Sequence, residues 1–256
     1  MFRSVSMIVI VMLWPCMVFA SHPLITDDAE TQGKGRHQVE VNGQYDSDKE
    51  TDVKTMGGQA VTTLILGMTD SVDLAVELPY LWSEEKRKGV LDSNEQGISD
   101  TALDLKWRFF EKDGLSFAMK PGASLPTGDE DKGLGAGKPG YHVFLIGTME
   151  ASFWAFHANL GYIRNENRFD EEKDLWHASL AMTCELVRNL RLAGNVGMER
   201  KSDKAADRNP AFLIAGAIYS IAENIDVDFG VKAGLTQSET DYSLLAGLTY
   251  RIEEKK

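Results

Sequence analysis

Charged and amide side chains recur at every second residue in several apolar segments, a spacing that places them together on one face of a β-strand. Carboxylate, ammonium, guanidinium, imidazole and amide groups on one face can line an aqueous passage or bind a polar solute. The candidates for a lumen or a constriction are Asp100, Asp104, Lys106, Arg108, Lys120, His157, Asn159, Asp226, Asp228, Lys232 and Arg251. The same groups could instead pair with one another and hold a narrow interior together, and the sequence leaves both interpretations open.

None of these candidates stands in a spacing that predicts catalysis or metal binding. His157 and Asn159 share a strand face, but no motif places a nucleophilic serine beside them. The glycine-rich run 133–138 follows Lys132, at the position where a phosphate-binding loop needs glycine. We therefore expect no catalytic residue, no metal site, no cofactor and no enzymatic activity.

The elements that carry these side chains are predicted to be β-strands. Residues 225–235, for example, alternate between apolar and polar types, and helical spacing is nowhere sustained. Such segments begin near residues 38, 54, 72, 98, 115, 141, 153, 175, 190, 211, 225 and 242. Short joins alternate with longer, charged joins such as 83–97 and 127–140. This order predicts an all-β chain that forms a transmembrane antiparallel up-and-down β-barrel of about twelve strands, with short periplasmic turns and longer external loops.

A soluble β-sandwich would show the same alternation, so other features have to distinguish the two folds. Aromatic residues lie at the ends of many segments, as in the two aromatic girdles of a membrane barrel. Examples are Tyr80, Trp107, Tyr162, Trp176 and Tyr250. The unequal lengths of the joins also favour a membrane barrel, and a soluble periplasmic sandwich stays as the alternative fold.

Charge and the first residues bound the partners and the location. The 256-residue chain has a formal net charge of −12, opposite to the basic surface of a nucleic-acid-binding domain, so we expect no nucleic-acid partner. Residues 1–20 combine a basic residue, an apolar stretch and a small-residue cleavage site, which predicts a cleaved signal peptide. We expect residues 21–37 to lie in the periplasm or the lumen, 38–252 to form the barrel and 253–256 to form a charged tail.

Several short segments spread along the chain form a set of motifs. They are 23–29 (PLITDDA), 100–109 (DTALDLKWRF), 120–129 (KPGASLPTGD), 133–137 (GLGAG), 157–162 (HANLGY) and 248–252 (LTYRI). This set resembles the outer-membrane family named for the MetA pathway of phenol degradation. The resemblance covers nearly the whole chain after the predicted signal peptide and implies an outer-membrane β-barrel that acts as a transporter. It implies outer-membrane lipid and the barrel-assembly machinery as partners, although Ile252 stands where such barrels commonly end on an aromatic residue.

The barrel pattern and the resemblance together predict a function in the bacterial outer membrane. We expect a passive channel or transporter for small solutes, and the family name implies that these are aromatic or hydrophobic. One alternative is a barrel with a plugged lumen that serves a structural or surface-interaction role. The other is a soluble periplasmic β-sandwich that binds a ligand.

Overall fold

Thirteen β-strands and one short 3₁₀-helix account for the regular structure of the described residues. The computed structural model describes residues 22–50, 53–204 and 207–253. The elements are β1 Arg36–Glu50, β2 Val53–Thr69, β3 Val72–Arg87, β4 Val90–Ile98, β5 Thr101–Lys112, β6 Leu115–Leu125, the 3₁₀-helix Glu130–Lys132, β7 Gly140–Ala151, β8 Trp154–Arg164, β9 Asp174–Val187, β10 Leu190–Glu199, β11 Ala211–Ala222, β12 Ile225–Gly234 and β13 Tyr242–Glu253. The predicted signal peptide and residues 254–256 of the predicted tail lie outside the described residues.

The strands form one closed antiparallel barrel. Apart from β4, the strands pair in chain order, and β13 pairs with β1, which closes the sheet. At one position β3 pairs with β5 over Val72–Glu77 and with β4 over Tyr80–Arg87, so β4 and β5 share one place in the ring. The result is a twelve-strand barrel with β4 as an additional strand, which confirms the predicted fold class. Closure of β13 onto β1 is incompatible with the alternative two-sheet sandwich.

The predicted loop 83–97 is largely a β-hairpin. β3 continues to Arg87 and β4 begins at Val90, and the two residues between them, Lys88 and Gly89, have φ angles of 51° and 80°. Positive φ at both positions is typical of the tight turn that joins two antiparallel strands. Charged side chains do not prevent this pairing, because the hydrogen bonds between strands are formed by the backbone. The charge of this segment indicated where the chain meets water and carried no information about strand pairing.

The barrel is apolar outside and polar inside. Leu160, for example, is 63% exposed on the outer face, whereas the alternate residue Asn159 is 3% exposed and points inward. Exposed aromatic side chains lie near both ends of the strands. They are Tyr80, Tyr141, Tyr162, Trp176 and Tyr242 at the end with the long loops, and Trp107, Phe153, Tyr219 and Tyr250 at the end with the short turns. An apolar belt between two aromatic girdles is typical of transmembrane barrels.

Buried apolar packing is confined to small clusters inside the barrel. One cluster joins Ala29, which precedes the first strand, to Ala118 and Ile146 on the barrel wall. Another joins Phe212, Ile214 and Leu245. Because these apolar clusters are small, the interior is held mainly by polar contacts, which are described next. No helix within the described ranges is long and apolar enough to cross a membrane.

Candidate functional site

The segment that precedes the first strand crosses the inside of the barrel; we call residues 22–35 the plug. At its start the Nδ1 atom of His22 lies 2.6 Å from Oδ1 of Asp228 on β12. At its end the N–H of Gly35 donates to the carbonyl of Gly67 on β2 (3.1 Å). Around the ring, β12 and β2 are separated by two strands, β13 and β1, in one direction and by eight strand positions in the other. The contacts of the plug that are described below are with strands on the eight-strand side.

The first half of the plug is fixed by hydrogen bonds to its backbone. The side-chain oxygen of Asn195 accepts from the N–H groups of Ile25 (2.7 Å) and Thr26 (3.1 Å). The Asn195 amide also donates to the Thr26 hydroxyl (2.6 Å), which in turn donates to the hydroxyl of Ser179 (2.7 Å). Asn195 and Ser179 lie on β10 and β9, so two neighbouring strands hold this turn of the plug. Buried backbone groups need such partners, since water does not reach them.

Asp27 forms the centre of a buried ion cluster. Its two carboxylate oxygens accept from the ammonium groups of Lys106 on β5 and Lys120 on β6, each at 2.8 Å. With the Asn159 amide oriented to satisfy its neighbours, that side chain also bonds the Asp27 carbonyl (2.9 Å) and N–H (2.7 Å). Burial opposes ionisation of Asp27, but Lys106 and Lys120 outweigh it and hold the pKa of this carboxyl well below its usual range. Asp27 therefore carries the charge that compensates two buried cations.

The second half of the plug is held by both backbone and charge. The N–H of Ala29 donates to the Thr148 hydroxyl (2.9 Å), and the N–H of Gln32 donates to the Asp73 carboxylate (2.9 Å). Between them, the carboxylate of Glu30 pairs with the guanidinium of Arg108 at 3.1 Å. Thr148, Asp73 and Arg108 come from β7, β3 and β5, so the second half of the plug is bonded to one group of neighbouring strands.

Glycines on the barrel wall make room for the start of the plug. Pro23 is fully buried against β11 and β12. A Cβ atom added at Gly230 would lie 2.7 Å from the Cβ of Pro23, and one added at Gly216 would lie 2.6 Å from its Cγ. Side chains at these two positions would occupy the space that Pro23 fills.

Substitution of Gly230 by valine should therefore displace the plug while leaving the barrel intact. We expect a loss of about 1–3 kcal/mol in the free energy of plug seating, as for other overpacked sites. The measurement is hydrogen exchange of the plug amides together with the unfolding midpoint of the barrel. Gly194→Val is the matched control, because a Cβ at Gly194 meets only Met182 and Ile214 at 3.7–4.0 Å. Equal plug exchange in both variants would contradict the assigned role of Gly230.

A cavity of about 300 Å³ remains between the plug and one side of the barrel; we call it the passage. Its wall is formed by the inward residues of β1, β2 and β3, and its opposite side by the plug with Lys106 and Lys120. Most residues of the wall are polar, and Val61, Ile65 and Ala75 are apolar; the polar ones are Gln38, Glu40, Asn42, Gln44, Gln59, Thr63, Asp73 and Glu77. A second cavity of about 580 Å³, the vestibule, lies at the short-turn end, and Gln32 of the plug lines both cavities.

The predicted lumen residues are distributed over several places in the interior. Lys106, Arg108, Lys120, Asn159 and Asp228 contact the plug. Asp226 and Arg251 pair at 2.7 Å in the vestibule, and Asp226 also pairs with Arg191 at 3.0 Å. The remaining wall residues bond locally: Asp104 with His142 (2.5 Å), His157 with Thr148 (3.0 Å) and Lys232 with Glu239 (3.0 Å).

Asp100 lies apart from this interior group. Its carboxylate accepts from the N–H groups of Gly128 (3.0 Å) and Ala136 (2.8 Å), so it fixes the 127–139 loop at the long-loop end. In the described part of the chain, no three His, Cys, Asp or Glu residues are grouped so that they could hold a metal ion.

Two sets of functional residues were not singled out from the sequence. The first is the set of plug residues that bond to the wall, above all His22, Thr26 and Asp27; the sequence left open whether this segment lies in the periplasm or the lumen, and its contacts are with residues far away in the chain. The second is the passage wall on β1 to β3. A signal for the second set existed, because Gln38, Glu40, Asn42 and Gln44 alternate with apolar or small residues along β1; the alternation identified the inward face without showing which part of it the plug leaves uncovered.

A family model spans almost the whole of this architecture. Residues 20–252 match the family described as "Putative MetA-pathway of phenol degradation". The chain belongs to this family. In this member of the MetA-pathway family the matched range includes the plug and every strand up to the penultimate residue of β13. No curated protein sequence matches the chain.

Solved structures of outer-membrane channels and porins share the fold of this MetA-pathway family member. The COG4313 outer membrane channel from Pseudomonas putida F1 is similar with a TM-score of 0.68 and 13% identity, over 88% of this chain and 98% of that chain. The NanC porin is similar with a TM-score of 0.59 and 8% identity, over 84% and 100%. The KdgM porin is similar with a TM-score of 0.54 and 10% identity, over 83% and 98%. At these identities the similarity establishes the fold alone.

Proposed function

We propose that this chain is a passive channel of the bacterial outer membrane, through which small hydrophilic solutes pass beside the plug. The observation that carries the proposal is the passage, a polar cavity left open between the plug and β1 to β3 inside a closed barrel. Its wall runs along β1 from Gln38 to Gln44, which corresponds to about 20 Å of strand. Because strands of membrane barrels tilt by about 40°, this length spans roughly half of the hydrocarbon thickness of a membrane.

The proposed route continues from the passage into the vestibule at Gln32, which borders both cavities. The long loops then face the exterior and the short turns face the periplasm, as in other outer-membrane barrels. In this proposal the chain is exported with a cleaved signal peptide at residues 1–20. The barrel-assembly machinery then inserts it into the outer membrane in this orientation, where its outer face contacts lipid. The polar wall favours hydrophilic solutes over the aromatic ones that the family name implies, and the proposed role is transport without catalysis.

Conductance across a planar lipid bilayer tests this function. The folded protein, identified on a gel by different migration before and after boiling, should give discrete conductance steps. Gln59→Trp should reduce the step size at least about twofold, because the indole would fill part of the passage next to Gln44. Leu64→Trp is the matched control, since Leu64 is on the same strand but points outward.

Each outcome of that experiment is informative. Steps that shrink in Gln59→Trp and persist in Leu64→Trp would support a channel through the passage. Steps that stay the same in both variants would contradict the assigned route. A folded, heat-modifiable protein that stays silent in repeated bilayers would contradict channel function, and a barrel closed by its plug would be the remaining interpretation.

A further inference from the structure

The wall of the passage carries the carboxylates of Glu40 and Glu77. Glu40 on β1 and Glu77 on β3 both lie opposite Thr63 on β2, so the three residues form one row across the wall. All three line the passage. The Glu40 carboxylate accepts from the amides of Gln38 (2.5 Å) and Asn42 (3.1 Å). Within the described residues neither Glu40 nor Glu77 forms an ion pair with a lysine, arginine or histidine.

Unpartnered acceptor oxygens in the same wall favour a ligand of positive charge. Gln38 and Asp73 are each 2% exposed and line the passage. In the described part of the chain, the Oε1 atom of Gln38 and the Oδ1 atom of Asp73 have no hydrogen-bond partner. Oδ1 of Asn42, also on this wall, likewise has no hydrogen-bond partner among the described residues. Buried acceptors of this kind are costly unless something in the cavity donates to them.

The cations that border the passage offset these groups only in part. Lys106 and Lys120 lie on the opposite side, where both ammonium groups are 2.8 Å from the carboxylate of Asp27. That carboxylate neutralises part of their charge. Glu40 and Glu77 therefore give the free wall a negative potential, and a narrow low-dielectric lumen strengthens such a potential relative to bulk water.

We propose that the passage selects small solutes of net positive charge, such as organic amines, over solutes of net negative charge. The selectivity residues are Glu40 and Glu77, and the buried acceptor oxygens of Gln38, Asn42 and Asp73 add to the negative potential of the wall. Rings of acidic side chains select cations in other channels by the same physics. The inference rests on the proposed channel function and names the solute class that the channel admits.

Reversal potentials in a potassium chloride gradient test the charge preference. The wild-type channel should favour potassium over chloride by at least about threefold at 0.1 M salt and by less at 1 M, where the screening length falls from about 10 Å to about 3 Å. The double substitution Glu40→Gln with Glu77→Gln keeps the size of both side chains and should bring the ratio close to one. Liposome flux of lysine against glutamate then tests the preference on organic solutes, and lysine should enter faster in the wild type alone.

Asp113→Asn is the matched control. Asp113 is exposed in the turn after β5 with a φ of 52°, a conformation that asparagine also adopts, and it lies outside the passage. Removal of that charge should leave the potassium-to-chloride ratio unchanged. Heat-modifiable migration on a gel shows that each variant is folded.

The possible results separate the two proposals. A wild-type channel that conducts but favours chloride, or whose ratio is the same with and without Glu40 and Glu77, would overturn the charge preference and leave channel function standing. A folded wild type that shows neither conductance nor flux would overturn channel function itself. An equal fall of the potassium-to-chloride ratio in Asp113→Asn would mean that the preference arises from the overall charge of the protein and not from the passage wall.

Discussion

Replacement of Asp27 by asparagine is expected to release the plug from the barrel wall, at a cost of about 3–5 kcal/mol in the free energy of plug seating. The carboxylate of Asp27 is the shared partner of Lys106 and Lys120, each at 2.8 Å. Asparagine keeps the shape of the side chain and loses its charge, so Lys120 would lose its ion-pair partner and Lys106 would keep only the carboxylate of Asp28, at 3.8 Å. Removal of one member of a buried ion pair is costly for that reason.

Hydrogen exchange of the plug is the measurement that isolates this effect from unfolding of the barrel. Amides of the plug, such as those of Thr26, Ala29 and Gln32, are bonded to side chains on the wall and exchange when the plug leaves it. Because each 1.4 kcal/mol corresponds to a factor of ten, exchange in residues 22–35 should accelerate by about 10²-fold or more. Exchange in the barrel strands should change far less.

Asp28→Asn provides the neighbouring control. Burial, opposed by Lys106 and reinforced by Asp27, raises the pKa of the Asp28 carboxyl, which lies 3.8 Å from the Lys106 ammonium, farther than the carboxylate of Asp27 at 2.8 Å. Its Oδ1 atom accepts from the N–H of Glu30 (2.7 Å), a bond that asparagine can retain. We expect less than about tenfold faster exchange in this variant. Similar acceleration in both variants would mean that the Asp27 cluster does not hold the plug.

The barrel was predictable because each strand experiences two different environments. Residues 225–234 alternate between inward Asp226, Asp228 and Lys232 and outward Val227 and Phe229, and the structure places β12 at Ile225–Gly234. The same two-residue period identified the inward face of most strands, and the alternation of short and long joins gave their order. Both signals are local, so one sequence carries them.

The plug could not be placed in the same way, because its contacts are between residues far apart in the chain. His22 meets Asp228 across 206 positions, and Asp27 meets Lys106 across 79. The plug has no period of its own, since each residue meets a different part of the wall. The plug sequence contains acidic residues and the strands contain inward lysines, but no local sequence rule pairs residues so far apart. Asp100 shows the converse: its period is that of a lumen residue, whereas its position at the strand end gives it a role in the loop.

A second large effect is expected on the outer face, where Leu180→Arg should destabilise the barrel by about 2–4 kcal/mol in a lipid bilayer. Leu180 is near the middle of β9 and is 61% exposed on the apolar belt. An arginine there would meet hydrocarbon at the depth where a charge is least soluble. The measurement is the free energy of unfolding by denaturant in lipid vesicles, compared with that of the wild type.

Leu186→Arg is the control that turns this effect into a test of membrane placement. Leu186 is on the same face of the same strand and is 57% exposed, but it lies near the short-turn end. In a membrane its arginine reaches the polar interface, so the cost should be only about 0–1 kcal/mol. If the outer face met water instead, both leucines would already be hydrated, and both substitutions would cost equally little. A difference between the two positions therefore requires a gradient of polarity along β9, which a bilayer supplies and bulk water does not. Equally small costs at both positions would contradict membrane placement and, with it, the proposed channel function. They would not affect the contacts between the plug and the wall.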